Sequence, residues 1–208
     1  MSNKTVLLIV ASTLALAACS RGKGNIETAS TPSTEAPSAD APAPLAPNPA
    51  VGGAPMLATR TIVDNAAAAP NLSTLVAAVK AADLVPTLSG PGPFTVFAPT
   101  NDAFGRLAPG MVDTLLKPEN KASLVKVLTY HVVRGTITAE QLKERIMTGG
   151  GSTTLTTVEG DPITATMVGA IIALTDVNGN KSYVETGDVR QSNGIVHVVN
   201  GVIVPKLG

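Results

Sequence analysis

Residues 95–104 read TVFAPTNDAF, a sequence that joins a strand pattern directly to a helix start. The segment 94–98 is apolar with little alternation, as in a buried strand. After the next proline, Thr100 or Asn101 marks the beginning of a helix. Asp102 then lies in the first helical turn, where a carboxylate suits the positive end of the helix dipole. The stretch therefore predicts a buried strand followed at once by a helix.

The rest of the first half of the chain has the periodicity of helices. A helix capped by Asn71 or Ser73 is expected to end before Pro86. A second helix is expected to begin at residues 118–119, and a third to span 139–147, where a capping box precedes it. The residues that share one face are Leu72, Leu75, Val76 and Val79 in the first helix, and Leu124, Val127, Leu128 and His131 in the second.

The second half of the chain changes to the periodicity of strands. Segments rich in threonine, valine and isoleucine are separated by turn pairs such as Gly160-Asp161 and Asn178-Gly179. Asn-Gly is typical of tight hairpin turns, whose two central residues need positive φ. Helices followed by strands, without regular alternation, predict an α+β fold with a mainly antiparallel sheet. The predicted strands are 153–158, 162–168, 170–177, 183–189, 195–199 and 202–204, and Asn-Gly pairs at 193–194 and 200–201 precede the last two.

Three segments of the chain resemble the signature segments of the fasciclin domain. The first is residues 95–104, the second is the pair Tyr130-His131, and the third is residues 192–205, SNGIVHVVNGVIVP. They have the order and spacing of that family, and the similarity extends from about residue 60 to residue 206. Asn200 departs from the aspartate that many members carry there, but asparagine also suits a tight turn.

The resemblance implies a single fasciclin domain, which is a compact β-wedge flanked by several helices. It also implies an extracellular adhesion module that binds proteins or cell surfaces and has no catalytic activity. Adhesion sites of the family have been placed near its first signature segment. By this resemblance, Thr100, Asn101 and Asp102 are candidates for contact with a partner.

The two histidines admit a functional and a structural interpretation. A metal site or an acid–base pair could use the imidazoles, whose ordinary pKa lies near 6.5. His131, however, lies on the apolar face of its predicted helix, and His197 alternates with apolar residues in its predicted strand. Both positions favour structural roles. We also expect Phe97, Phe104 and Tyr130 to be core residues.

Sequence motifs for catalysis and for cofactor binding are absent. There is no G-x-S-x-G nucleophile motif, and the glycine run 149–151 lacks the lysine of a phosphate-binding loop. Residues 176–180 partly resemble a calcium loop, but Gly187 stands where that loop needs a glutamate. Asp102 beside Asn101 would suit a divalent ion, although the start of a helix explains this pair as well. We expect no enzymatic activity, no cofactor and no metal.

The composition argues against nucleic acid as a partner. Lys plus Arg and Asp plus Glu each number 15, so the net charge is zero and there is no long-range field to attract a polyanion. Three phenylalanines and two tyrosines are too few for a stacking platform. The single cysteine excludes an intramolecular disulfide and a cysteine zinc cluster.

Residues 1–18 have the pattern of a lipoprotein signal peptide. The uncharged segment 6–18 would reach about 20 Å as a helix, short of the ~30 Å hydrocarbon core of a bilayer. Residues 16–19, LAAC, resemble the bacterial lipobox, which implies cleavage before Cys19 and a diacylglyceryl group on its sulfur. An ordinary signal peptide is the alternative. Ser20 favours the outer membrane of a Gram-negative bacterium, with the domain facing the periplasm or the exterior.

Between this anchor and the domain, residues 19–55 are rich in proline, alanine and serine and have no periodic apolar face. Such a segment cannot bury enough surface to offset the entropy of ordering, so we expect a disordered tether. A proline-rich ligand for another domain is the alternative. The fasciclin domain is expected to span residues 56–208.

Taken together, these features predict a lipid-anchored, non-enzymatic adhesion module of the cell envelope. Its partners would be the membrane, through Cys19, and proteins or other cell-surface components. The alternative function is that of a lipoprotein that binds an envelope polymer or a small ligand, without a role in adhesion. The sequence leaves the oligomeric state open.

Overall fold

The computed structural model describes residues 47–107 and 110–206. The predicted signal peptide (1–18), Cys19 and the predicted tether as far as residue 46 lie outside these ranges. Within them, no single helix is long and apolar enough to cross a membrane. Helix Ile62–Ala68 and the segment Pro70–Ala81 reach the length and apolar composition of a membrane span only when they are taken together, and a bend of 110° separates them.

Seven α-helices form in the described residues, and threonine side chains cap three of them. Thr61, Thr100 and Thr138 each accept a hydrogen bond from a backbone N–H in the first turn of the helix that follows. Thr138 forms the predicted capping box with Gln141. The helices are α1 (Ile62–Ala68), α2 (Ser73–Ala81), α3 (Val85–Leu88), α4 (Asn101–Gly105), α5 (Met111–Leu115), α6 (Lys121–Tyr130) and α7 (Ala139–Thr148), with 3₁₀ turns at Pro70–Leu72 and Pro118–Asn120.

Some helix boundaries differ from those predicted. Neither Asn71 nor Ser73 caps α2, because a 3₁₀ turn leads directly into that helix and Leu72 takes the capping position. The end of α2 at Ala81 does lie before Pro86, as predicted; Pro86 belongs to the first turn of the separate helix α3, where a proline has no helical N–H bond to lose. His131 follows the last residue of α6 and caps its C-terminus. Helices α1, α3 and α5 were not predicted from the sequence.

The strands form one seven-stranded sheet in the order β2-β1-β7-β6-β5-β4-β3. All neighbouring pairs are antiparallel except β1 and β7, which are parallel, so the α+β prediction with a mainly antiparallel sheet is confirmed. The strands are β1 (Phe94–Pro99), β2 (Val132–Arg134), β3 (Ser152–Thr156), β4 (Pro162–Val168), β5 (Ile171–Thr175), β6 (Lys181–Gln191) and β7 (Gly194–Val199).

The two outer strands of the sheet approach each other and nearly close it into a barrel. Val133 of β2 forms a bridge with Thr157, immediately after β3. The N–H of Val158 donates to the carbonyl of Val132 at 2.7 Å. The sheet is therefore a curled wedge, in which the two outer strands meet at one bridge.

Two hydrophobic cores lie on opposite faces of the sheet. One core is formed with α1, α2, α4 and α6 and includes Val96 and Val198. The other lies inside the wedge, beneath α7, and includes Phe97 and Val199. Successive residues of β1 and β7 thus enter different cores, which is why the sequences of these strands are apolar without alternation.

The prediction of a tight turn centred on an Asn-Gly pair is wrong at Asn193-Gly194. The turn between β6 and β7 is formed by Ser192 and Asn193, and neither Asn193 nor Gly194 has positive φ. Gly194 is required for a different reason: a Cβ atom there would lie 2.0 Å from the carbonyl oxygen of Phe94 on the parallel strand. Residues 202–204 also form no strand.

The packed part of the chain begins before the predicted domain boundary at residue 56. Val51 is 3% exposed and belongs to the core under the helices. The side chain of Asn48 binds both backbone groups of Arg190 on β6. The last residues of the predicted tether are therefore part of the domain, because apolar burial and backbone hydrogen bonds hold them there.

Candidate functional site

The predicted contact segment Thr100–Asp102 lies at the start of α4 and is mostly occupied by internal contacts. Thr100 is 6% exposed, and its hydroxyl accepts from the N–H of Ala103 at 3.3 Å. The amide of Asn101 accepts from the N–H of Thr74 and donates to the carbonyl of Pro70 and the hydroxyl of Ser73, all at 3.0 Å. Asp102 is exposed. Of the three, Asp102 is the residue whose side chain is available to a partner.

Tyr130 is fully buried inside the wedge. Its hydroxyl donates to the carbonyl of Pro162 at 2.8 Å and accepts from the N–H of Val177 at 3.3 Å. Burial raises the pKa of the phenol to about 12, and the nearby charges of Asp176 and Asp161 act in the same direction. Tyr130 therefore joins the end of α6 to the start of β4 and to the loop after β5.

His131, the neighbour of Tyr130, faces the opposite core and is 2% exposed. Its Nδ1 lies 2.7 Å from the carbonyl of Val127, to which it donates, and its Nε2 accepts from the N–H of Ile203 at 3.2 Å. This arrangement requires the neutral imidazole with the proton on Nδ1. Burial lowers the pKa of His131 to about 4, although the Val127 hydrogen bond and the charge of Asp176 oppose this shift.

His197 is also held as a neutral ring, with the opposite tautomer. Its Nε2 donates to the carbonyl of Ile137 at 2.8 Å, and its Nδ1 accepts from the N–H of Asp188 at 3.3 Å. The ring stacks on Phe97 with 5.6 Å between centroids. Burial lowers its pKa. Like Phe97 and Phe104, which lie in the two cores, His197 contributes to packing.

The two histidines bind different parts of the chain and do not form a shared site. Over the described ranges, no group of three or more His, Cys, Asp or Glu side chains could hold a metal ion. The carboxylate of Asp176, part of the calcium-like sequence, accepts from the N–H groups of Asn178, Asn180 and Val204 and from the side-chain amide of Asn180. Its oxygens are thus used to fix a turn and the chain's closing segment.

The closing segment 202–206 is held by side chains in place of a strand ladder. The N–H of Ile203 binds His131, the N–H of Val204 binds Asp176, and the N–H of Lys206 binds Asp161 at 3.2 Å. The role of Asp176 was not predicted from the sequence. An aspartate two residues before Asn-Gly is nevertheless a typical signal for a turn in which the side chain accepts from the following backbone.

An open cleft of about 700 Å³ lies at one end of the sheet. It is formed by the Pro91–Pro93 loop before β1, the turn between β6 and β7, and the loop that leads from β2 to α7. Its polar lining includes Arg190, Thr136, Thr138 and Ser192. No local sequence pattern predicts that these residues line one cleft, because they meet only through the sheet topology.

Comparison with known proteins gives a consistent family match. The family model described as "Fasciclin domain" matches residues 70–205. Protein sll1483 of Synechocystis sp. is 49% identical over 147 residues, which cover 71% of this chain and 74% of that protein. The uncharacterized protein sll1735 of the same organism is 42% identical over 142 residues, which cover 68% of this chain and 96% of that protein.

A solved structure has the same fold. It is the structure of a FAS1 domain pair from the insect cell adhesion molecule fasciclin I, which aligns with a TM-score of 0.61 and 20% sequence identity. The alignment covers 72% of this chain and 51% of that chain, so this chain spans about half of the domain pair.

Proposed function

The chain belongs to the fasciclin domain family, and on this premise we propose that it is a non-enzymatic interaction module that binds proteins or surface components of the cell envelope. The observation that carries the proposal is that both histidines and Tyr130 are buried and bound to backbone groups. The groups best suited to acid–base chemistry are therefore used to hold the fold. The function that we propose is therefore binding at the surface of the domain. The similar solved structure is that of a protein named as a cell adhesion molecule.

The proposed location is the outer membrane of a Gram-negative bacterium, with the domain facing the periplasm or the exterior. Lipidated Cys19 would hold the protein there, and the proline-rich segment up to residue 46 would give the domain reach. Anchoring raises the local concentration of the domain at the membrane. Many weak contacts between two surfaces then give avidity without high affinity at any single site.

Replacement of the proposed lipidation site should release the protein from membranes. We expect the Cys19→Ala variant to move from the membrane fraction to the soluble fraction, because the thiol that would carry the acyl chains is gone. The Ser20→Ala variant keeps the cysteine and serves as the matched control, which should stay membrane-bound. Fractionation of producing cells with detection of the full chain measures both. Unchanged retention of a Cys19→Ala chain that has lost residues 1–18 would exclude the lipid anchor, because the apolar segment 6–18 could then no longer hold it.

The contribution of Asp102 to partner contact can be separated from folding. Asp102 and Asp113 are both exposed acidic residues in the first turn of a short helix. Beads coated with the full Asp102→Ala chain should be captured by producing cells several-fold less than beads with the Asp113→Ala chain. Both variants should keep the melting temperature of the parent to within about 2 °C, since exposed substitutions change stability by about 0.5 kcal/mol or less. Equal capture of the two would rule out Asp102 as a contact.

The alternative function, binding of an envelope polymer or a small ligand without adhesion, is favoured by the 700 Å³ cleft. Its combination of a few polar groups with apolar walls is typical of ligand sites. Capture of beads by cells separates adhesion from binding of a small soluble ligand, because a ligand that is free in solution would not hold a bead on a cell surface.

A further inference from the structure

We propose that the cleft around Arg190 binds an extended acidic peptide segment of a partner protein, with a carboxylate of that segment paired to the Arg190 guanidinium. The inference rests on the proposed function as an interaction module and specifies the chemistry of the partner. Ser192 belongs to the third signature segment, whereas Arg190, which carries the proposal, lies outside all three.

Arg190 supplies the charge of the cleft. It is half-buried and, in the described part of the chain, no other charged residue lines the cleft. The one ion pair within residues 47–107 and 110–206 is Lys121–Asp83, so no described carboxylate neutralises Arg190. The nearest carboxylate along the strand, that of Asp188, accepts from the N–H of Ala139 at 2.7 Å. A partly buried guanidinium without a carboxylate partner favours an anionic ligand.

The backbone of Arg190 is fixed before any ligand arrives. Its N–H donates to Oδ1 of Asn48 at 2.9 Å, and its carbonyl accepts from Nδ2 of the same amide at 2.6 Å. The Asn48 amide also donates to the carbonyl of Met56 at 3.2 Å. These bonds do not involve the guanidinium. The strand that carries the Arg190 side chain is therefore preorganised, so the backbone loses little conformational entropy when a ligand binds.

The shape of the surface favours a chain-like ligand. A second depression of about 430 Å³ shares Arg190 and Ala58 with the cleft and continues past Met56 to Pro47. Arg190 thus stands at the junction of the two depressions, which a single extended ligand could occupy together as one groove. An isolated carboxylate would fill only the junction, whereas an extended segment would occupy both sides of it.

The lining favours a peptide over a sugar polymer. Pro91, Pro93 and Ile195 are among the apolar residues of the walls. The hydroxyls of Thr136 and Ser192 can donate to carboxylate or carbonyl oxygens. Among the described lining residues there is no aromatic ring on which a sugar face could stack. An extended peptide presents carbonyls at regular intervals and carboxylates on short side chains, which matches donors spaced along a groove.

The test is direct binding of a fluorescent seven-residue oligoglutamate peptide to the purified full chain at low salt, with oligoglutamine and an alginate oligosaccharide as comparison probes. We expect oligoglutamate to bind at least about 10-fold more tightly than either, and Arg190→Gln to weaken it by about 10-fold or more. Arg190→Lys keeps the charge but loses the paired geometry, so it should weaken binding by a smaller factor. Arg145→Gln, a change at an exposed arginine on α7, is the matched control and should leave binding unchanged.

Three results would overturn the inference: equal binding of oligoglutamate to the parent and to a folded Arg190→Gln chain, equal loss in Arg145→Gln, or tighter binding of alginate than of oligoglutamate. The last would assign the groove to an acidic glycan. Bead capture by cells distinguishes failure of the peptide-binding inference from failure of the proposed function. If capture persists while oligoglutamate binding fails, the inference is wrong and the interaction module stands; if capture also fails, the proposed function is wrong.

Discussion

The His131→Ala variant is expected to melt on the order of 10 °C below the parent chain. The substitution removes the side-chain partners of the Val127 carbonyl and the Ile203 N–H, both in the interior. Each buried group left unsatisfied costs about 1–3 kcal/mol, and the vacated ring volume adds a further penalty. A total of about 3–5 kcal/mol corresponds to a shift of this size in a domain of ordinary length. Thermal unfolding followed by circular dichroism measures it.

The same variant tests whether His131 acts in binding or in folding. At a temperature where it is folded, we expect capture of His131→Ala beads by producing cells to match the parent. At higher temperatures capture should fall in proportion to the unfolded fraction. A variant that remains as stable as the parent but no longer supports capture would overturn the structural role of His131 and assign it to the binding surface.

The free energy of unfolding should decrease as the pH falls from about 6.5 to about 4. Above pH 6.5 His131 is neutral in both the folded and the unfolded chain, so its contribution is complete. Below that pH the unfolded chain takes up a proton, whereas burial keeps the pKa of the folded side chain at about 4. Stability therefore falls by about 1.4 kcal/mol per pH unit, or about 3 kcal/mol across the window. His197, whose pKa is also lowered, acts in the same direction.

Urea unfolding at pH 7 and pH 4.5 checks this prediction when the parent is compared with His131→Gln. Glutamine does not titrate, and its amide oxygen can still accept from the N–H of Ile203. The variant should be less stable at pH 7 but should lose about 2 kcal/mol less than the parent on acidification. The same pH dependence in both chains would show that His131 titrates normally and is not held neutral by the fold.

Local patterns predicted those elements whose signals lie within a few residues of one another. The strand before Thr100, the helix start at that residue and the capping box at Thr138 all depend on neighbouring side chains and backbone, and the structure has each of them. The predicted strand 162–168 matches β4. The fasciclin resemblance supplied the β-wedge, which local patterns alone would not give.

The remaining features depend on contacts between distant parts of the chain. Asn48 binds Arg190, a partner 142 residues away, and no window of sequence contains both. Gly194 is set by the parallel strand β1, so its Asn-Gly pair gave the wrong turn. The segment 202–204 has strand composition, but its N–H groups bind the side chains of His131, which follows α6, and of Asp176, in the loop after β5. At the candidate site, the sequence predicted Asp102 as a contact residue. It could not show that the side chains of Thr100 and Asn101 make internal hydrogen bonds.

The most direct test of the interaction module is capture of coated beads as a function of surface density. Beads carry the purified full chain at graded densities, and their retention by producing cells and by each other is counted. Contact through many weak domains predicts retention that rises more steeply than linearly with density. Retention that is absent at every density, with the immobilised chain shown to be folded, would contradict the proposed function.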